Sequence, residues 1–416
     1  MGDTILTGFG SPKEQQTIIK VVGVGGGGGN AVTHMYREGI HDVTFALCNT
    51  DNQAMVKSEV PVKVQLGTTG LGAGNDPEIA RIAAENSKES IQNLLNDGTK
   101  MVFITAGMGG GTGTGAAPVI AKIAKDSDIL TVGIVTIPFL FEGKPKILQA
   151  LEGVEKLRKN VDAILVINNE KLIEIYGDMD LITGFKKADS TLTTAAKSIS
   201  ELITNPHQIN IDFADVKTTL KDGGVAIMNS GFGDGDKRLI KACNDALNSP
   251  LLNNTDVFRA QKILFNINYT TQKPVKLSEM EEVRNFMAQF YKEINVIWGQ
   301  GVDDTLEHEV KVTVLASGFG RESIPTIEVL TDEERRKAQN DIDLISFYYG
   351  WDAAKTLGTP VKPKPFVFSE NKQLDNNKII DKLLDQPAFQ RQISDIKQIV
   401  DEEAEKRATV LEEYQN

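Results

Sequence analysis

Two glycine-rich runs have the composition of anion-binding loops: GVGGGGGN at 23–30 and GMGGGTGTG at 107–115. Glycine lets a backbone pass close to a phosphate, and successive free N–H groups at the start of a helix attract anions. The first run also satisfies a dinucleotide fingerprint through Gly23, Gly25 and Gly28, with Asp51 some way downstream. By itself it points to a Rossmann-type oxidoreductase. The second run holds six glycines and two threonines in nine residues, and the threonine hydroxyls can donate to phosphate oxygens or reach a cation. No Lys-Ser or Lys-Thr follows at the spacing of a P-loop. Paired loops at neighbouring strand ends point to a triphosphate gripped from opposite sides. A second chemical centre is NIDFADVK (210–217), where Asp212 and Asp215 lie three apart. Both carboxylates can face one way there, either as acid–base groups or as capping charges at a helix start.

The elements that must position these loops read as alternating strands and helices. TIIKVVGV (17–24), VTFALCN (43–49), VKVQL (62–66), MVFITA (101–106), ILTVGIVTI (129–137) and DAILVIN (162–168) are rich in Val and Ile with little polar alternation, the pattern of strands buried on both faces. Helical stretches lie between them: 30–39 with Asn30 as N-cap, 77–95 after Asp76-Pro77, and 116–125 with Pro118 in its first turn. This order predicts a parallel sheet covered by helices. A longer helix near 190–203 stops at Asn205-Pro206. Strands at 224–231, 261–269, 294–298 and 311–317, with helices near 235–247 and 278–291, predict a second, smaller α/β domain.

Composition narrows the classes. Charged residues make up 25% and hydrophobic residues 40%, which excludes a mostly disordered chain. A net charge of −12 argues against nucleic-acid binding and against a polybasic membrane patch. Cys48 and Cys243 make no disulfide framework, and a reducing compartment fits. The four histidines show no metal spacing with Cys, Asp or Glu, and two cysteines cannot build a structural zinc site. The start of the chain lacks the features of a secretory signal, and the longest apolar run, 129–141, is too short to span a membrane. The expectation is a cytoplasmic protein without direct membrane insertion.

The motifs then converge on a known family. GGGTGTG (109–115) resembles the signature of the tubulin/FtsZ GTPase superfamily, and GVGGGGGNAV (23–32) resembles the first phosphate loop of its bacterial cell-division branch. CNTDNQAM (48–55), TGLGAGNDPE (69–78), FEGKPK (141–146), NNEKL (168–172), SELIT (200–204) and NIDFADVK (210–217) continue the likeness in order. The resemblance implies a parallel-sheet GTPase domain, a connecting helix, a smaller α/β domain and a charged tail. It also implies a GTP-dependent, polymerising cell-division GTPase that forms the cytokinetic ring, with GTP or GDP bound and Mg2+ carried by phosphates and water, not by protein side chains.

By resemblance, Gly26, Gly27, Gly28, Gly29 and Asn30 contact phosphates from one side. Gly109, Gly110, Gly111, Thr112, Gly113 and Thr114 hold them from the other. Gly72, Ala73 and Gly74 form a further loop near the terminal phosphate. Glu142 and Lys146 fall at ribose and phosphate positions, with Lys146 standing where the family usually has arginine. Asn169 matches a guanine-reading asparagine. Asp189-Ser190 stands where Asn-Asp is typical, and the Asp189 carboxylate can accept from the guanine edge. Phe185 either stacks on the base or belongs to the core. Asn210, Asp212 and Asp215 enter the nucleotide site of the next subunit and polarise the attacking water, so that a head-to-tail filament of the chain with itself is the active form.

The expected organisation is an N-terminal arm at 1–16, the GTP-binding domain at 17–187, the connecting helix at 188–208 and the C-terminal domain with the catalytic loop at 209–330. A linker follows at 331–375, then a helical tail at 376–416. In that tail DQPAFQRQ (385–392) resembles the family peptide that docks on membrane-tethering division partners, with Phe389 as anchor and Gln390 where leucine is usual.

Overall fold

Val21, Val22 and Val24 of the first strand are sealed from solvent on both sides of the sheet. This computed structural model describes residues 17–204, 211–247, 257–290, 294–319, 341–342, 344–350, 353–354 and 357. All belong to the first of the chain's two units, Met1–Leu357; the second, Gly358–Asn416, lies outside the described residues, as do the arm at 1–16, Asn210 and the peptide 385–392.

The elements run β1 (Ile19–Val24), α1 (Gly25–Arg37), β2 (Val43–Asn49), α2 (Asn52–Val56), β3 (Val62–Gln65), α3 (Pro77–Asn86), α4 (Lys88–Leu95), β4 (Met101–Gly107), α5 (Gly111–Asp126), β5 (Leu130–Ile137), α6 (Lys144–Arg158) and β6 (Ala163–Asn168). Next come α7 (Asn169–Tyr176), α8 (Leu181–Thr204), α9 (Phe213–Leu220), β7 (Gly224–Gly233), α10 (Arg238–Leu247), β8 (Lys262–Tyr269), α11 (Met280–Met287), β9 (Asn295–Val302) and β10 (Val310–Ser317).

The strands form one sheet in the order β3-β2-β1-β4-β5-β6-β7-β10-β8-β9. From β3 to β6 every pairing is parallel. Side chains in those strands alternate between two apolar layers, as the period of two requires. Val22 and Val24 join the layer under α3, α4, α5 and α6, whereas Ile19 and Val21 join the layer under α1, α8 and α9. Because both faces are covered, the strands lack polar alternation. Beyond β6 the parallel link to β7 spans only Ala163↔Gly224 and Ile164↔Val225. β7, β10 and β8 then pair antiparallel and carry a separate core with α10 and α11.

Several helix bounds differ from the sequence reading. Helix α1 begins at Gly25, so Asn30 is an exposed second-turn residue, not an N-cap. Likewise α5 begins at Gly111, which puts Pro118 inside the helix and not in its first turn. In both cases glycines that read as loop form the first helical turn. The stretch 77–95 divides at Ser87 into α3 and α4. The connecting helix starts at Leu181 and ends at Thr204.

The stretch expected to be linker also differs. Residues 344–349 are helical, and Ile345, Tyr348, Tyr349, Ala353 and Ala354 lie in the apolar layer beside α6. Burial of two tyrosines and an isoleucine offsets the ordering entropy that a charged, Pro-containing linker could not recover.

Candidate functional site

The sheet order reverses between β1 and β4, and the two glycine loops follow those strands. In open parallel sheets, ligands bind in the crevice beyond the strand C-termini at such a switch point. Register places Gly23 beside Thr105 and Val24 beside Ala106, so the loops leave the sheet as neighbours.

Their glycines separate into two kinds. Gly28 and Gly113 permit contact between backbones: a Cβ at Gly28 would lie 2.1 Å from the Thr105 carbonyl oxygen, and one at Gly113 would lie 2.4 Å from that of Gly107. Gly111 does the same for the third loop, where its Cβ would fall 3.0 Å from that of the buried Ala73. Gly26, Gly29, Gly74 and Gly110 face open space, and Gly27 and Asn30 are exposed. Gly72 takes φ +85 and donates its N–H to the Thr50 carbonyl at 3.0 Å, which fixes the third loop to the end of β2.

Neither α1 nor α5 has a side-chain cap, so their first-turn N–H groups have no side-chain acceptor. By contrast Asp51, Asp76, Asn168 and Asp212 cap α2, α3, α7 and α9. Uncapped N-termini carry the positive end of the helix dipole and suit a polyanion. The threonine hydroxyls of the second loop have structural partners: Thr112 pairs with Thr50 at 2.7 Å, and Thr114 accepts the Gly109 N–H at 2.9 Å.

Glu142 and Lys146 lie at the rim. One Glu142 oxygen accepts the Phe139 N–H at 2.9 Å, and the other accepts from the Lys146 ammonium at 2.6 Å. Lys146 also packs against Gly109 through its stem. Gln149, which no sequence signal singled out, donates its amide to the Gly109 carbonyl at 3.0 Å and to that of Asn75 at 3.4 Å. It joins the second and third loops from one turn along α6.

Asn169 opens α7 and is 7% exposed, and its Oδ1 is buried without a hydrogen-bond partner. Such an orphan acceptor calls for a ligand or water. Asp189 stands in the first half of α8, where burial pushes its carboxyl up to about 6. Phe185 lies in α8, but its side chain is outside the described part of the structure. The Asp51 carboxylate accepts from the N–H groups of Gln53 and Ala54 and so serves α2, which disfavours the dinucleotide reading.

Asp212 and Asp215 stand at the start of a different element, α9. Asp212 follows the far end of α8, whose 24 residues span about 36 Å. The two carboxylates form a capping box, each accepting the other's backbone N–H, at 2.9 and 3.0 Å. One oxygen of each remains free of that box.

No three His, Cys, Asp or Glu side chains cluster as a metal site among the described residues. Nor is any helix among them long and apolar enough to cross a membrane.

Comparison with known proteins gives a consistent result. Residues 18–177 match the model of the Tubulin/FtsZ family GTPase domain, and residues 224–320 match that of the FtsZ family C-terminal domain. The Cell division protein FtsZ of Porphyromonas gingivalis is 52% identical over 391 residues, spanning 90% of this chain and 85% of that protein. Its counterpart from Wigglesworthia glossinidia brevipalpis is 43% identical over 383 residues, spanning 91% and 97%. A solved structure of the empty FtsZ dimer from M. jannaschii superimposes with a TM-score of 0.67 at 38% identity, covering 77% of this chain and 96% of that one. With paired glycine loops at the switch point and both family domains in order, the chain belongs to the FtsZ family, the cell-division GTPases of the tubulin fold.

Proposed function

We propose that GTP sits in the crevice of the glycine loops and is hydrolysed between neighbouring subunits of a head-to-tail filament. The chain is a polymerising GTPase of cell division. One observation supports the shared-site reading: Asp189 stands in the first half of α8, whereas the Asp212–Asp215 pair follows the C-terminal end of that helix. From Asp189 to the end of α8 at Thr204 the helix rises about 22 Å, beyond the reach of a carboxylate on the far side toward its own subunit's nucleotide. Stacking copies head to tail brings the two ends together, and such a contact does not close, so it builds a filament.

In this reading Gly26–Asn30 and Gly109–Thr114 contact the phosphates, which accept from the free first-turn N–H groups of α1 and α5. Gly72, Ala73 and Gly74 line the space for the terminal phosphate. Lys146 supplies the rim cation with Glu142 beside the ribose. Asn169 and Asp189 read guanine, the orphaned Asn169 oxygen accepting from the base. Asp212 and Asp215, with Asn210, orient and polarise the attacking water of the adjacent subunit through their free oxygens. Mg2+ accompanies the nucleotide on phosphate and water oxygens, where it neutralises charge.

The finer organisation keeps the GTP-binding domain at 17–187 and the C-terminal domain at 209–330. The tail at 385–392 docks through Phe389 on a membrane-tethering division partner. The protein works in the cytoplasm at the mid-cell division site.

Phosphate release from GTP, measured per protomer against protein concentration, tests the central claim. The expected curve is near zero below a threshold and rises steeply above it. A flat curve would show a self-contained site and remove Asp212 and Asp215 from catalysis. No release at any concentration would leave a nucleotide-binding scaffold without turnover.

A further inference from the structure

Tyr348 and Tyr349 lie beyond the matched C-terminal domain, yet only 3% and 9% of their surface is exposed. The Tyr349 hydroxyl donates to the Pro138 carbonyl at 2.7 Å. The side-chain amide of Asn168 donates to the Tyr348 carbonyl at 2.8 Å. Consecutive residues of one segment therefore hold the C-terminal ends of β5 and β6, whose last paired residues are Ile137 and Asn168.

Both ends border the nucleotide crevice. The ring of Pro138 would lie 2.8 Å from a Cβ on Gly109, so it seats directly against the second glycine loop. The turn after Pro138 carries Glu142, whose carboxylate accepts the Phe139 N–H. Asn168 caps α7 and directly precedes the buried Asn169.

We propose that Tyr349 is a positioning residue for nucleotide binding, its hydroxyl holding the Pro138–Glu142 turn against the second glycine loop. The proposal rests on the nucleotide reading above. A phenylalanine would fill the same space, so packing alone gives no reason for the oxygen. A buried hydroxyl is costly unless it is bonded, and here its partner lies one residue past the sheet ladder. Burial raises the phenol's pKa, and the nearby Glu142 and Glu170 raise it further, so the hydroxyl stays a donor at working pH. Glu170 also holds this turn, accepting the Leu140 N–H at 2.8 Å. Removing Tyr349's bond would thus leave the turn in place but looser.

The test is Tyr349→Phe in the full chain, with equilibrium binding of GTP and GDP, the split of KM against kcat, and thermal unfolding without nucleotide. The expected result is about a 5-fold loss of affinity for both nucleotides, the effect of one neutral hydrogen bond. KM should rise by the same factor, with kcat kept at saturating GTP. Unchanged affinity with a lowered unfolding temperature would make Tyr349 structural only and overturn the proposal. A parent chain that binds neither nucleotide would overturn the nucleotide reading and this inference together. A parent that binds while Tyr349→Phe binds equally well would sink the inference alone.

Discussion

Asp212 and Asp215 are locked in a reciprocal pair, the carboxylate of each accepting the backbone N–H of the other. That geometry lets capping be separated from catalysis. Asn caps a helix about as well as Asp, so Asp212→Asn should keep α9 and unfold at the parent's temperature. If the negative charge polarises water, GTP turnover should still fall by about 10²–10⁴, with GTP-dependent assembly retained. Asp212→Ala should in addition cost about 1 kcal/mol through the lost cap. Parent-like turnover in Asp212→Asn would show that the residue is a cap and nothing more.

Asp189 gives the nucleotide site a pH dependence with a defined sign. Burial disfavours its charged form and raises its pKa from 3.8 to about 6. Accepting from guanine requires the ionised form, so affinity should weaken as pH falls from 7 to 5, by about 10-fold for one proton linked to binding. The stability term runs the other way: it is fully present below 3.8 and is lost as pH rises through about 6. Guanine-nucleotide titrations across that range should show the slope in the parent and none in Asp189→Asn.

Glycines within one loop should respond differently to the same change. At Gly28 an added methyl meets the Thr105 carbonyl, and overpacking of this kind costs about 1–3 kcal/mol. Gly26 has nothing within 4 Å and stands in the first turn of α1. Gly26→Ala should therefore unfold at or above the parent temperature while nucleotide affinity drops, since the methyl enters the space of the phosphates. Full affinity in Gly26→Ala would put the phosphates elsewhere.

Gln149 offers a test of how the second and third loops cooperate. Gln149→Met keeps length and bulk but removes the donor to Gly109 and Asn75. Loss of the shorter of these two bonds, that to Gly109, alone corresponds to about a 5-fold effect, and the loss should fall on GTP more than on GDP if the third loop faces the terminal phosphate. Competition binding of the two nucleotides reads the difference; equal losses would detach that loop from the terminal phosphate.

Much of this was legible in the chain. Strands such as 43–49 and 101–106 were readable because burial on both faces leaves mostly apolar types and no polar alternation, a local signal. The glycine loops were readable because phosphate approach and loop-on-loop contact both exclude a side chain. Asp212 and Asp215 were readable as a pair, since their spacing serves a capping box and a catalytic pair alike.

What the sequence hid was non-local. Glycine reads as a helix breaker, so the first turns of α1 and α5 were invisible until their uncapped N–H groups were seen at the switch point. Tyr348 and Tyr349 sit in a short apolar run, LISFYYGW at 344–351, inside a charged and polar region, and the apolar layer beside α6 explains their burial. Residue types and spacing marked the two glycine loops at neighbouring strand ends as the candidate polyphosphate site. Tertiary structure alone decided that Asp189 and the carboxylate pair stand on either side of the C-terminal half of α8, because the direction and length of that helix, and not any local motif, set them apart.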